Sequence, residues 1–206
     1  MPACRTRPRR HCGRAELEAF LVSIGVVALG EVGDKTQLLA MLLAVKFRRP
    51  VPIVLGILVA TLANHASAGL VGAWVAGALG PTLLRWVIGV SFIAMAGWVL
   101  VPDKIDADEA ATPLRFGVFG TTVIAFFLAE MGDKTQIATV ALAARFHDLW
   151  AVVAGTTLGM MIADVPAVLV GDRLAQKIPM KLVHGIAAAI FALLGLLTLF
   201  NVGILM

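Results

Sequence analysis

Six long apolar stretches, separated by short polar intervals, constrain the fold of this 206-residue chain more than any other feature. A helix that crosses a bilayer needs about 20 mostly apolar residues, because backbone polar groups inside lipid must be satisfied within the helix itself. The chain is 60% hydrophobic and has a mean hydropathy of +0.93. We therefore predict an all-α integral membrane protein with six transmembrane helices, near residues 17–45, 51–77, 83–101, 116–144, 149–170 and 183–205.

The two halves of the chain are copies of each other. The segment GEVGDKTQ at residues 30–37 returns as AEMGDKTQ at residues 129–136, and the offset of 99 residues from Glu31 to Glu130 also relates Gly56 to Gly155. Each copy holds three predicted spans, an odd number, so the second copy must enter the membrane inverted. Inverted repeats are typical of transporters, whose substrate site lies near the midplane between the repeats. The predicted division is a basic N-terminal arm (1–16), repeat 1 (17–101), an acidic central loop (102–115) and repeat 2 (116–206).

The charge distribution indicates a membrane topology and no nucleic-acid partner. The net charge of +4 is spread over loops and the arm, and basic loops are expected on the cytoplasmic side of a membrane protein. The loops place the central acidic segment in the cytoplasm, whereas the arginines of the arm favour the opposite orientation. The arm and the apolar segment before Glu31 also resemble a signal peptide. The second motif has no such arm, so we interpret the segment as part of the first span, and the arm as an upstream start or a removable segment.

Both motifs place ionisable side chains inside a predicted span, where they are costly and usually functional. Gly33 and Gly132 each cost about 1 kcal/mol relative to alanine in a helix interior. Asp34 and Asp133 are each followed three residues later by glutamine, a spacing that resembles the capping box at a helix start. We therefore predict that the first helix of each repeat is broken at the motif and that a new half-helix begins there.

The two motifs together predict a cation site built from oxygen atoms. Carboxylates without cysteine or histidine favour hard cations such as Ca²⁺, Mg²⁺ or Mn²⁺. The expected metal-binding residues are Glu31, Asp34, Glu130 and Asp133, and the expected supporting residues are Thr36, Gln37, Thr135, Gln136, Lys35, Lys134 and Asp164. The lysines either pair with a carboxylate or point towards the interface between helices. Asp164 either lies near the ion path or forms a local hydrogen bond at the kink before Pro166.

Clustered carboxylates bind protons as well as cations, so the two compete for the same oxygens. If the site also alternates between the two sides of the membrane, the result is cation/proton antiport. A passive cation channel remains an alternative, and so does an intramembrane aspartyl protease in which two aspartates share a proton. The protease is disfavoured because it needs neither the glutamates nor the duplicated Lys-Thr-Gln sequence. No cofactor is predicted, because the cation is the substrate.

The duplicated pattern Glu-hydrophobic-Gly-Asp-Lys/Arg-Thr/Ser resembles the signature of a family of Mn²⁺ and Ca²⁺ transporters. That family includes Golgi members of the Gdt type and bacterial manganese exporters of the MneA type, and it is grouped with the LysE superfamily. EVGDKT and EMGDKT fit the signature at every position, and the resemblance covers nearly all of the chain after residue 17. It implies proton-coupled Mn²⁺ or Ca²⁺ transport. We expect a multi-pass protein of a bacterial inner membrane that exports Mn²⁺ from the cytoplasm.

Overall fold

A computed structural model describes residues 9–101, 116–170 and 180–201, and the ordered elements within these ranges are α-helices. The predicted all-α class is therefore confirmed for this part of the chain. The acidic loop at 102–115 lies outside it. The helices are α1 (Arg9–Glu31), α2 (Lys35–Phe47), α3 (Pro50–Ala78), α4 (Pro81–Val99), α5 (Gly117–Glu130), α6 (Lys134–Phe146), α7 (Leu149–Val170) and α8 (Met180–Leu199).

Four of these helices are long and apolar enough to cross a membrane. They are α3, α4, α7 and residues Lys181–Leu199 of α8, and α5 is a shorter apolar helix. Large apolar side chains cover the outside of the protein, with Trp74 and Trp150 each 71% exposed. Soluble monomers rarely expose apolar surface on this scale. The molecule is a membrane protein, while the count of six spans depends on how α1 with α2, and α5 with α6, sit in the bilayer.

Both motifs interrupt a helix where the sequence predicts a break. Helix α1 ends at Glu31 and α2 begins at Lys35; α5 ends at Glu130 and α6 begins at Lys134. Gly33 and Gly132 adopt φ values of 85° and 76°, which side chains with a β-carbon rarely adopt. The N-terminal end of α1 is at Arg9, so residues 9–16 of the predicted basic arm are helical.

The helix starts at α2 and α6 depart from the predicted capping box, and the side chain of Asp133, the N-cap of α6, makes no capping hydrogen bond. Asp34 is the N-cap of α2, and its side chain accepts a hydrogen bond from the Lys35 backbone N–H. The hydrogen bond of the glutamine side chain is shifted by one residue along the backbone. Gln37 Oε1 accepts from the Gly33 N–H at 2.9 Å, because the N–H of Asp34 already donates to the Glu31 carbonyl at 3.0 Å. Gln136 repeats this shifted contact with the second motif's glycine at 2.7 Å.

Close helix contacts cross between the two halves. A β-carbon at Gly155 in α7 would lie 2.6 Å from the Phe20 carbonyl oxygen in α1. A β-carbon at Gly56 in α3 would lie 3.1 Å from the Phe119 carbonyl oxygen in α5. Both glycines and both phenylalanines are separated by the repeat offset. The same contact is therefore made twice, and glycine is required each time because the helix backbones touch.

Apolar side chains form two packed clusters. One joins α4, α6 and α8 through Phe92, Leu142 and Phe191. The other joins α2, α3 and α5 through residues that include Ile57 and Phe126. A buried polar set accompanies this apolar packing, and it includes both acidic residues of each motif together with polar residues of α3 and α7. Buried ionisable groups on this scale need compensating partners, and these partners define the candidate site.

Candidate cation site

Three carboxylates converge where the two helix breaks meet. Glu31 ends α1, Asp34 precedes α2 and Asp133 precedes α6, and one carboxylate oxygen from each lies within 4.8 Å of the others. The three side chains are at most 4% exposed. Oxygen atoms at this spacing can share one hard cation after small adjustments, because such cations bind oxygens at about 2.0 to 2.6 Å. Three of the four predicted ligands are therefore brought together, two from the first motif and one from the second.

Glu31 is hydrogen-bonded within its own motif and lies near a further acidic residue, Asp164. The Thr36 hydroxyl donates a hydrogen bond to Glu31 Oε2, while Oε1 has no hydrogen-bond partner among the described residues. Asp164 of α7 is fully buried and lies within electrostatic range of Glu130, Asp34 and Glu31. Neither carboxylate oxygen of Asp164 accepts a hydrogen bond within the described ranges, so the local bond at the proline kink is not seen. Asp164 therefore adds a further carboxylate beside the three.

Glu130, the fourth predicted ligand, is turned towards α3. Its Oε2 accepts hydrogen bonds from Asn64 Nδ2 at 3.2 Å and from the Thr61 hydroxyl at 3.4 Å, and its Oε1 lies 3.2 Å from His65 Nε2. The repeat offset relates His65 to Asp164. Glu130 thus has an imidazole of α3 beside it, while the carboxylate at the equivalent position of α7, Asp164, lies within electrostatic range of both motif glutamates.

The role of these α3 residues as partners of Glu130 is hard to recognise in the sequence. Asn64 and His65 look like isolated polar residues that merely join helices, and Thr61 draws no attention in the sequence. The available signal is their spacing, because residues at i, i+3 and i+4 share one helix face. Three polar side chains on one face of a transmembrane helix indicate a buried polar partner, and that partner is Glu130.

The two motif lysines occupy different surroundings. Lys134 Nζ lies 3.5 Å from Asp34 Oδ1, so the lysine of the second motif pairs with the aspartate of the first. It also donates to the Val101 carbonyl at 3.4 Å. Lys134 is buried, whereas Lys35 is partly exposed. The first of the two sequence-based alternatives, pairing with a carboxylate, therefore applies to Lys134.

Two further contacts fix the first break in place. Gln37 Nε2 donates to the Ala163 carbonyl at 2.9 Å, which ties α2 to α7 beside Asp164. His184 Nε2 lies 3.0 Å from the Val32 carbonyl oxygen, inside the break itself. In the sequence, His184 lies at the start of the predicted span 183–205, a position that by itself indicates only an interfacial residue. In the second motif, Thr135 is the counterpart of Thr36. Thr135 is buried, and its carbonyl oxygen accepts a hydrogen bond from the Thr139 hydroxyl at 2.8 Å.

The apolar outer surface defines a membrane protein, and the buried carboxylates at its two helix breaks could hold a small hard cation. Comparison with known proteins gives the family. The chain belongs to the family described as divalent cation/proton antiporter GDT1, whose model matches residues 19–107 and 118–203. The resemblance seen in the motifs is thereby confirmed.

The relatives that match the chain span bacteria and yeast. A Vibrio cholerae protein named "Putative manganese exporter" is 50% identical over 89% of this chain and 92% of its own length. A GDT1-like protein of Synechocystis is 32% identical over 86% of this chain and 94% of its own length. The Saccharomyces cerevisiae divalent cation/proton antiporter GDT1 is 23% identical over 91% of this chain and 85% of its own length. No solved structure shows significant similarity to the chain.

Proposed function

We propose that this chain is an antiporter of a bacterial inner membrane that exports Mn²⁺ from the cytoplasm in exchange for protons. The observation that carries the proposal is the group of three buried carboxylates within 4.8 Å at the meeting of two helix breaks. Family membership and the name of the Vibrio cholerae relative support the choice of ion. An oxygen-only site accepts both Mn²⁺ and Ca²⁺, so Ca²⁺ is the second candidate substrate.

We propose Glu31, Asp34 and Asp133 as direct ligands of the cation and Glu130 as the fourth carboxylate of the site. Glu130 is already engaged by α3, so its contribution to cation binding is the smallest of the four. The supporting residues orient these carboxylates or shape the breaks. They are Thr36, Gln37, Thr135, Gln136, Lys35, Lys134 and Asp164.

We further propose a six-span architecture of two inverted three-span repeats. In this architecture α1 with α2, and α5 with α6, each form one broken span. Support comes from the matching breaks and from the glycine contacts that recur at the repeat offset, Gly56 with Phe119 and Gly155 with Phe20. A pseudo-twofold axis in the membrane plane relates the halves of such a protein and places its site near the midplane.

The proposed exchange follows from competition at the carboxylates. A divalent cation and protons need the same oxygens, so binding of one displaces the other. If only the loaded or protonated forms change the side to which the site opens, export of Mn²⁺ is tied to entry of protons. An enzymatic role is not proposed, because the family consists of transporters.

The test is flux in proteoliposomes that contain the purified full chain. Mn²⁺, Ca²⁺ and Mg²⁺ are each offered with and without an imposed pH gradient. We expect the gradient to drive Mn²⁺ uphill, and we expect the Glu31→Gln, Glu130→Gln double variant to lose this flux. Protein-free liposomes provide the control. Mn²⁺ flux that is indifferent to the pH gradient would contradict antiport and indicate a channel.

A further inference from the structure

The ammonium of Lys134 lies beside an aspartate that we propose as a direct ligand of the transported cation. Lys134 belongs to the second motif, yet it reaches across to Asp34 of the first motif, with 3.5 Å between Nζ and Oδ1. Both side chains are nearly inaccessible, 5% and 2% exposed. Asp34 is one of the three proposed direct ligands. An ammonium and a divalent cation repel each other strongly at such distances where little water screens them, so they cannot both lie close to Asp34.

Lys134 is more deeply buried than its counterpart in the first motif. Lys35 is the counterpart of Lys134 at the repeat offset, but Lys35 is partly exposed while Lys134 is 4% exposed. The two motifs are thus alike in sequence and unlike in the burial of their lysines. A positive charge enters the carboxylate cluster from the second motif.

A second acceptor is already within reach of Lys134. Its Nζ lies 3.4 Å from the carbonyl oxygen of Val101, just beyond the end of α4. A backbone carbonyl accepts a hydrogen bond from an ammonium without competing for a metal ion. The lysine can therefore leave Asp34 while retaining a hydrogen-bond partner, which reduces the cost of moving a buried charge.

We propose that Lys134 is a tethered competitor of the transported cation. Its ammonium occupies Asp34 when the site is empty, and it moves off Asp34 towards the Val101 carbonyl when a divalent cation binds. This inference rests on the proposed function, because it assigns Lys134 to the same site. The lysine lowers the affinity for the cation and compensates the carboxylates of the empty site, which would otherwise be an uncompensated negative cluster in a medium of low polarity.

Equilibrium binding of Mn²⁺ to the full chain in lipid nanodiscs tests the proposal. Lys134→Gln removes the competing charge and is expected to lower the Kd for Mn²⁺ about tenfold, the lower range for a hydrogen bond to a charged group. Lys134→Arg is expected to raise the Kd, because a guanidinium binds a carboxylate more firmly than an ammonium does. Lys35→Gln removes the same charge from the other motif and should shift the Kd less than Lys134→Gln does.

Flux measurements distinguish the competitor role of Lys134 from a purely structural role. In proteoliposomes, Lys134→Gln should lower the KM for Mn²⁺ and also lower the maximal rate, because a tighter site releases its cation more slowly. A variant that merely destabilises the fold would lose rate without gaining affinity. Size-exclusion profiles and thermal melting of each variant establish that it is folded.

The outcomes separate this inference from the proposed function. If the wild-type chain binds no Mn²⁺, the proposed function fails. If the wild-type chain binds Mn²⁺ and folded Lys134→Gln binds it equally or more weakly, the competitor role is overturned and the proposed function stands. Should Lys134→Gln not fold, Lys134→Arg decides: a raised Kd supports the role, and an unchanged or lowered Kd overturns it.

Discussion

Two glutamates that look interchangeable in the sequence lie in different surroundings in the folded chain. Glu31 takes part in the three-carboxylate group, and its Oε2 accepts a hydrogen bond from Thr36 of its own motif. Glu130 is surrounded by Thr61, Asn64 and His65. The difference arises because the α3 residues around Glu130 are not part of the repeated motif. Duplication has preserved the motif while its surroundings have diverged.

The same substitution at the two positions should therefore have unequal effects. Glu31→Gln is expected to weaken Mn²⁺ binding about 100-fold or more, since a unit charge about 4 Å from another is worth about 4 kcal/mol at the effective dielectric of a partly screened site. Glu130→Gln is expected to cost about tenfold, the lower end of the range for residues that only orient metal ligands. Binding isotherms of the two single variants in nanodiscs measure this. Equal losses would show that Glu130 ligates the cation as strongly as Glu31.

Sequence reasoning identifies the residues of the site more reliably than it identifies their partners. The motif alone indicates where each helix breaks, because Gly and an N-capping Asp act locally. The turn of Glu130 towards α3 and the reach of Lys134 to Asp34 depend on side chains more than 30 residues away. Nothing in the local sequence of the second motif encodes them. The symmetry of the repeat suggests that Glu31 and Glu130 are equivalent, whereas the structure gives them different neighbours.

At the scale of helices, glycines set how closely the elements around the site approach. Gly72 in α3 faces α6, the half-helix that begins at Lys134. A β-carbon at Gly72 would lie 2.3 Å from the Val140 carbonyl oxygen and 2.9 Å from Ala143 Cβ. A backbone carbonyl cannot move aside as a flexible side chain can. Any side chain at Gly72 must therefore push α3 and α6 apart.

Gly72→Ala is expected to lower the free energy of unfolding by about 1–3 kcal/mol, the usual cost of overpacking. Gly77→Ala in the same helix is the matched control, because a β-carbon there meets nothing within 4 Å. Thermal melting in detergent, followed by size-exclusion chromatography, compares the two variants. A stability loss of the same size in both would point to helix propensity or lipid contact and away from the α3–α6 contact.

At the scale of the whole molecule, the proposed inversion of the repeats makes a prediction about the positions of two loops. Arg48 follows α2 and His147 follows α6, and both adopt the left-handed backbone conformation, with φ values of 53° and 54°. They are pseudo-equivalent at the repeat offset. In two inverted three-span repeats, equivalent positions lie on opposite sides of the membrane.

Single cysteines at these positions test the inversion. In a background in which Cys4 and Cys12 are replaced by serine, Arg48→Cys and His147→Cys are labelled in intact cells with a membrane-impermeant thiol reagent. We expect His147→Cys to react from outside and Arg48→Cys to react only after the cells are permeabilised. Labelling of both from one side would contradict the inverted arrangement, and the exchange of their roles would reverse the orientation while preserving the inversion.

The breaks at Gly33 and Gly132 have one more consequence, which concerns the peptide backbone. A helix carries roughly half a positive charge at its N-terminus and half a negative charge at its C-terminus. Each break sets the C-terminal end of one half-helix beside the N-terminal end of the next: Glu31 is the last residue of α1, and Asp34 is the N-cap of α2. The positive end supports the charge on the aspartate, while the negative end makes that on the glutamate costly until a cation arrives. The backbone thus gives the site a fixed polarity of its own, which remains when the carboxylates are replaced by amides.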